Sequence, residues 1–141
     1  MANPSEAIKD LLVTASVGVF NAASGWSIRV SRQSDDPDTA VTVYDTAGEN
    51  SNPRYLLDFP GIQVRVRGDQ SGYVAARAKC TDVVNALIGL PSQDIAGDRW
   101  VGIWQSGGII SLGYDEKDRP MFSLNFTLII EPATGTYRES L

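Results

Sequence analysis

The strongest constraint on the fold is a strict alternation of side chains near the end of the chain. Between Met121 and Ile130 every second residue is large and apolar, namely Phe122, Leu124, Phe126, Leu128 and Ile130. Because successive side chains of a strand point to opposite faces of a sheet, this period of two predicts a strand with one buried face. We expect Leu124, Phe126 and Leu128 to be largely buried in the core.

Shorter runs of the same period mark the other predicted strands. The clearest run follows Pro60 and Gly61, where Ile62, Val64 and Val66 alternate with Gln63, Arg65 and Arg67. Turn-forming residues separate the remaining runs, as expected between strands. The pattern predicts strands at 26–30, 41–43, 62–67, 100–105, 109–114 and 121–130.

Two segments have the spacing of amphipathic helices. In the first, Asn3 is a candidate cap and Pro4 suits the first helical position. Its apolar stripe consists of Ile8, Leu11, Leu12, Ala15 and Val19. The second helix follows residues 68–71, ends before Gly89 and Pro91, and has an apolar face formed by Tyr73, Ala76, Cys80, Val83, Val84, Leu87 and Ile88.

These elements follow one another in the order α-β-β-β-α-β-β-β. Two amphipathic helices cannot bury their apolar stripes alone, so we expect both to pack on one face of a sheet. The prediction is an α+β fold with a largely antiparallel or mixed sheet. The 141 residues suit one domain, assigned to 1–141, with 131–141 as a polar tail.

The composition argues against several classes of catalytic site. The chain has no histidine, so the commonest general base and metal ligand is absent. Its one cysteine, Cys80, lies on the apolar face of the second predicted helix, where a thiol usually acts as a small buried hydrophobe. No group of glycines matches a nucleotide-binding loop. We therefore predict a protein that is not an enzyme and has no cofactor and no bound metal.

Charge and hydropathy limit the possible partners. The formal net charge of −5 disfavours generic binding to a phosphate backbone. The longest apolar runs are a few residues, far below the roughly 20 that cross a bilayer. The first residues do not have the pattern of a secretory signal. We predict no membrane partner and no generic nucleic-acid binding, while a local basic patch stays open.

Charged residues concentrate in three places. Acidic residues occur at Asp35, Asp36 and Asp38 in a predicted loop, and at Asp115, Glu116 and Asp118 in a predicted hairpin tip. The basic concentration consists of Arg65, Arg67, Arg77 and Lys79. Two interpretations stay open for the basic residues. They form the solvated face of a strand and helix, or they form a patch that pairs with acidic loops of a neighbouring subunit.

The tryptophans of the strand at 100–105 raise a similar choice. In a regular strand Trp100 and Trp104 share one face, opposite Val101 and Ile103, which makes both faces apolar. Such a strand is either central in the protein or presents one face to another chain. Trp100 and Trp104 are therefore candidate interface residues, together with Asp35, Asp36, Asp38, Arg65, Arg67, Arg77 and Lys79.

Three segments carry a resemblance to a known family. They are Phe59-Pro-Gly-Ile-Gln-Val-Arg-Val-Arg-Gly68, the helical stretches Tyr73-Val-Ala-Ala-Arg-Ala and Val84-Asn-Ala-Leu-Ile-Gly89, and the final strand that runs into Glu131-Pro132. With a preceding N-terminal helix, this pattern resembles the bacteriophage minor capsid or tail-terminator (tail completion) family. The resemblance implies an antiparallel sheet with helices on one side, in agreement with the order of elements above.

The resemblance also implies a role in the virion of a long-tailed bacteriophage. Tail terminators form a ring, commonly a hexamer, at the head-proximal end of the tail tube. The implied partners are further copies of the chain, the tail tube protein and a head connector or completion protein, with DNA only passing through the lumen. Assembly in the host bacterial cytoplasm is implied too. Two alternatives stay open: another head–tail joining or tail tube subunit, and a small carboxylate-based hydrolase.

Overall fold

The computed structural model describes residues 3–49 and 57–132. These contain the helices α1 (Pro4–Thr14) and α2 (Tyr73–Leu87), and the strands β1 (Val19–Phe20), β2 (Ser27–Val30), β3 (Ala40–Thr46), β4 (Gly61–Arg67), β5 (Gln93–Ile95), β6 (Asp98–Gln105), β7 (Ile110–Tyr114) and β8 (Pro120–Glu131). The predicted α+β class and the order of the predicted elements are confirmed. The sequence did not predict β1 and β5, which are too short to show a period.

The strands form a mixed sheet in the order β1-β2-β3-β4-β8-β6-β5. The β1–β2 and β2–β3 pairs are parallel, and the other pairs are antiparallel. The long strand β8 is central, because β4 bonds one side of it while β7 and β6 bond the other. Ser123, for example, lies opposite Arg65 on one side and Ile110 on the other.

Both helices pack on the face of the sheet that carries the alternating apolar residues. Leu124, Phe126 and Leu128 are at most 1% exposed, as the sequence predicts. Ile8 and Leu12 of α1 and the buried face of α2 complete the core around them. The other face, here called the open face, carries the polar residues that alternate with the core, among them Gln63, Arg65 and Asn125.

The start of α1 is capped as predicted, with one addition. The Asn3 side chain accepts hydrogen bonds from the backbone N–H groups of Ser5 and Glu6. Asp45, at the end of β3, also accepts from the backbone and hydroxyl of Ser5, at 3.1 and 2.8 Å. These contacts satisfy helix N–H groups that have no partner within the helix, and they tie α1 to the sheet.

The end of α1 differs from the prediction. The apolar spacing predicts a stripe through Val19, but the helix ends at Thr14 and Ser16 has a φ of 61°. A Cβ added at Gly18 would lie 2.7 Å from the carbonyl oxygen of Trp26, so only glycine allows the chain to pass this close to β2. Val19 therefore begins β1 and is 63% exposed.

Residues 50–56 of the long loop and residues 133–141 of the predicted polar tail lie outside the described residues. The assignment of one domain stays a prediction. Neither helix of the described ranges is long and apolar enough to cross a membrane.

Candidate assembly interface

The sheet separates the four predicted basic residues, so they do not form one patch. Arg65 lies on the open face, with its guanidinium 5.5 Å from the centre of the Tyr44 ring. Arg77 and Lys79 lie on α2, which covers the opposite face. Lys79 donates to the carbonyl oxygen of Val17 and lies 3.6 Å from an Asp82 oxygen. The expectation of a single basic group was wrong, because a strand and the helix after it supply opposite faces.

Arg67 is buried rather than solvated. It is 3% exposed, and its guanidinium donates to the carbonyl oxygens of Ser34, Pro37 and Asp38 at 2.7 to 2.8 Å, and to that of Asp35 at 3.3 Å. Burial lowers the pKa of Arg67 from its ordinary value. The prediction of a wet face was therefore wrong at Arg67, because the loop before β3 folds over this side chain.

The loop acids are paired within the chain. Arg119, whose side chain is 5% exposed, lies 3.0 Å from an oxygen of Asp35 and 3.1 Å from one of Asp38. Lys117 binds the second oxygen of Asp35. Asp36 forms no ion pair with any lysine or arginine of the residues that the structure describes. A place for Asp35, Asp36 and Asp38 in a subunit interface stays a prediction, but two of the three already have cationic partners.

Asp115 completes this cluster at the tip of the β7–β8 hairpin. Its carboxylate lies 2.7 Å from the Arg119 guanidinium and also accepts from the backbone N–H groups of Arg119 and Lys117. Burial alone would raise the pKa of Asp115, but these hydrogen bonds outweigh it and lower the pKa to about 2. The same contacts, with those from Asp35 and Asp38, hold the pKa of Arg119 above its ordinary value despite burial. Hydrogen bonds from Lys117 and then Arg119 lower the pKa of Asp35.

Sequence reasoning missed Arg119. The available signal was its spacing of four from Asp115 across a predicted hairpin tip, where the two side chains can meet. Its long-range partners gave no signal, because Asp35 is 84 positions away.

The two tryptophans of β6 lie on opposite faces, which corrects the sequence prediction. Trp100 is 4% exposed and Trp104 is 59% exposed. Trp100 lies opposite Ile130 and Gly102 lies opposite Ile129, so Val101 is an extra residue in a β-bulge. A bulge of one residue reverses the side to which all later residues point. Trp104 consequently lies on the open face opposite Thr127, and Ile103 points into the core instead.

Exposed apolar side chains line one edge of the sheet. This group, here called the β6–β7 edge, consists of Val101, Trp104, Ile110, Leu112 and Tyr114, each 39 to 59% exposed. All five residues of β7 are exposed, and within the described ranges β7 pairs only with β8. An apolar edge strand with unpaired backbone groups can bind another chain.

The opposite edge of the sheet is apolar too and has a basic cleft beside it. Val19 and Phe20 of β1 are 63% and 44% exposed. An open cleft of about 340 Å³, here called the β1 cleft, is lined by Glu6, Phe20, Asn21, Arg29, Val30, Arg32 and Ser34. The two edges have different shapes and charges, so they are not copies of one surface.

The described residues contain no group of three or more His, Cys, Asp or Glu side chains that could hold a metal ion. Cys80 is fully buried, and burial raises the pKa of its thiol to about 11.

Comparisons with known proteins identify the family and a similar fold. Residues 10–132 match the model of a family described as "Bacteriophage tail terminator protein". No curated protein sequence matches the chain. Among solved structures, a chain of the "Virion of native gene transfer agent (GTA) particle" has a similar fold, with a TM-score of 0.58 and 18% sequence identity. The match covers 93% of this chain and 87% of the other.

Proposed function

The chain belongs to the bacteriophage tail terminator family, and on that premise we propose that it forms a closed ring that caps the head-proximal end of a tail tube. The ring stops polymerisation of the tube and provides the surface to which the head is joined. The protein acts by binding and not by catalysis. The match of the family model to residues 10–132, nearly the whole of the described chain, carries this proposal.

The two unlike edges of the sheet support a ring. A contact between the β6–β7 edge of one copy and the β1 end of the next copy uses different surfaces on the two partners. Such head-to-tail contacts repeat, and they close into a ring when the rotation between neighbours is a simple fraction of a turn. We propose six copies, which is the number implied by the family resemblance.

The remaining partners follow from the position of the ring. The tail tube protein binds one end of it, a head connector or completion protein binds the other, and DNA passes through the lumen. The net charge of −5 supports passage without tight binding, since an acidic surface repels phosphates. Assembly takes place in the host bacterial cytoplasm and the product is part of the virion.

Electron microscopy of tails made with and without this protein tests the proposal. With the protein, tails should have one length, bind heads and show a gold-labelled copy only at the head-proximal end. Native mass spectrometry of rings released from those tails should give six chains of 15.2 kDa. Gold label along the whole tube would instead show that this protein is a tube subunit. Uniform tails with joined heads in the absence of the protein would contradict the proposal.

A further inference from the structure

The two longest runs of sequence without a charged residue contain the two apolar edges of the sheet. The chain is 21% charged, but residues 11–28 and 100–114 contain no Asp, Glu, Lys or Arg. The first run includes β1, and the second includes β7 with most of β6. Edge strands that stay exposed usually carry charged residues, which prevent pairing with another chain. Two uncharged edges therefore indicate strands that another chain covers.

The strand β5, which is last in the sheet order, gives the opposite case. Asp94 at its centre lies 3.3 Å from Arg99 of β6, and both side chains are exposed. Charges of this kind suit an edge that faces solvent. The missing charges are therefore a property of β1 and β7 and not of every edge in this sheet.

The backbone of β1 and that of β7 are open to a further strand. Val19 N donates to Trp26 O and Asn21 N donates to Ile28 O, both at 3.0 Å. Because alternate residues of a strand bond to opposite sides, the N–H and C=O of Phe20 point away from β2. Among the described residues β7 has one hydrogen-bonded neighbour, which is β8. The subunit thus presents an open strand at each of these edges.

The open strands lie at opposite edges of the sheet. The strands β2, β3, β4 and β8 separate β1 from β7, which is about 24 Å along the sheet at about 4.8 Å per strand. Both are bonded into the ladder, since Phe20 pairs with Ile28 of β2 and Ile110 pairs with Ser123 of β8. The hairpin tip beyond β7 folds back onto the loop at 34–38. The strands themselves, and not the tip, can therefore serve two neighbours.

The directions of the strands determine how two copies can pair. The strands β1, β2 and β3 run in one direction, while β4 is antiparallel to β3, β8 to β4, and β7 to β8. A neighbour that continues the sheet consequently brings its β1 antiparallel to β7. We propose that β7 of each copy pairs with β1 of the next copy, so that one continuous sheet runs around the ring. The occupant of each open edge is a second copy of this chain.

The exposed side chains of the two strands suit this pairing. Val19 is in line with Arg67 across four paired strands, and Ile110 is in line with Arg65 across three. Because Arg65 and Arg67 alternate with core residues, Val19 and Ile110 both lie on the open face. They are 63% and 46% exposed, and in a continuous sheet they are within reach of each other. This inference rests on the ring of the proposed function and names the contact that closes it.

Charge exchange tests the pairing. Val19→Lys and Ile110→Glu should each give about tenfold fewer capped tails than the parent, because a charge opposes burial of the joined edge. The double variant should recover capping at low salt, since Lys and Glu then meet at every contact. A mixture of the two single variants should recover as well, because alternating copies place either the native pair or the Lys–Glu pair at each contact. Thermal unfolding of each free variant checks that the chain folds.

Val74→Lys is the matched control. Val74 is 80% exposed on α2, which covers the other face of the sheet, so the same change adds the same charge away from both edges. It should leave capping unchanged. An equal loss from Val74→Lys and Val19→Lys, or no recovery in the double variant and in the mixture, would overturn the pairing of β7 with β1.

Chemical cross-linking distinguishes this contact from pairing of like edges. A short bis-maleimide should link a chain with both Val19→Cys and Ile110→Cys into multimers up to the closed ring. A mixture of the two single cysteine variants should stop at dimers, because each copy then has one cysteine at its edges. Cys80 is fully buried and does not interfere. Dimers from Ile110→Cys alone would mean that β7 pairs with β7, and would overturn the proposal.

The same experiments separate this contact from the proposed function. Rings in parent tails, with no cross-link in the double cysteine variant and no effect of charge, would refute the pairing and leave the proposed function standing. Absence of rings from parent tails would refute both.

Discussion

The Arg119 guanidinium lies 3.0 Å from Asp35 Oδ1 and joins two parts of the chain that are 84 residues apart. The same guanidinium also binds Asp38 and Asp115. The loop between β2 and β3 is therefore fastened to the tip of the β7–β8 hairpin through one nearly buried side chain.

Replacement of Arg119 should destabilise the protein. We expect Arg119→Met to lower the free energy of unfolding by about 1–3 kcal/mol, because a buried cation with several charged hydrogen bonds is lost and Asp115 keeps its charge. Urea denaturation measures the change. Arg77→Met, at an exposed position, should change the stability by no more than about 0.5 kcal/mol. Equal stability of the Arg119 variant and the parent would show that this cluster contributes nothing to folding.

The Asp115 carboxylate should make stability depend on pH at the acidic end. Its pKa is about 2 in the folded protein, below its ordinary 3.8, so the unfolded state binds more protons between these values. The stabilisation is complete above about pH 4 and is lost as the pH falls towards 2. Denaturant midpoints measured over this range should show a steeper fall for the parent than for Asp115→Asn. Parallel curves would contradict the assigned pKa.

The core prediction made from the sequence can be measured directly. Phe126 is 1% exposed, and Phe126→Ala should lower the stability by about 3–5 kcal/mol, as expected for loss of a buried aromatic ring. Leu112→Ala, at a side chain that is 41% exposed, is the control and should cost far less. A loss below about 1 kcal/mol for Phe126→Ala would mean that the ring does not contribute as a core residue.

The bulge at Val101 predicts different fluorescence for the two tryptophans of β6. Trp104→Phe should remove the part of the emission that is red-shifted and quenched by iodide, because Trp104 is 59% exposed. Trp100→Phe should remove a protected, blue-shifted part. If iodide quenches both residues equally, the strand has no bulge and the side chains share a face.

The β6–β7 edge predicts a variant that folds but assembles poorly. Trp104→Ser combined with Ile110→Ser should keep the thermal stability of the free chain within a few degrees, since both side chains are already exposed. The same change should reduce the fraction of capped tails, because the apolar contact area is lost. Capping equal to that of the parent would exclude this edge from the interface.

The pattern of residues was sufficient for the two helices, the longer strands and most of the core, but not for β1, β5 or the placement of charges. The alternation at Phe122 to Ile130 and the cap at Asn3 depend on local spacing, and both are found as predicted. Trp104 could not be placed, because one extra residue in a bulge reverses a strand and leaves no mark in composition. Arg67 and Arg119 could not be placed either, since their partners come from a distant loop whose path depends on the whole sheet.

The hydrogen bonds of Arg67 have a consequence for how this surface can evolve. Arg67 binds only main-chain oxygens of residues 34, 35, 37 and 38, so this part of the loop's support does not depend on which side chains the loop carries. Mutations there can alter the surface charge of the loop while Arg67 continues to bind its backbone. Such changes are least constrained at Asp36, because Asp35 and Asp38 also form ion pairs with Arg119.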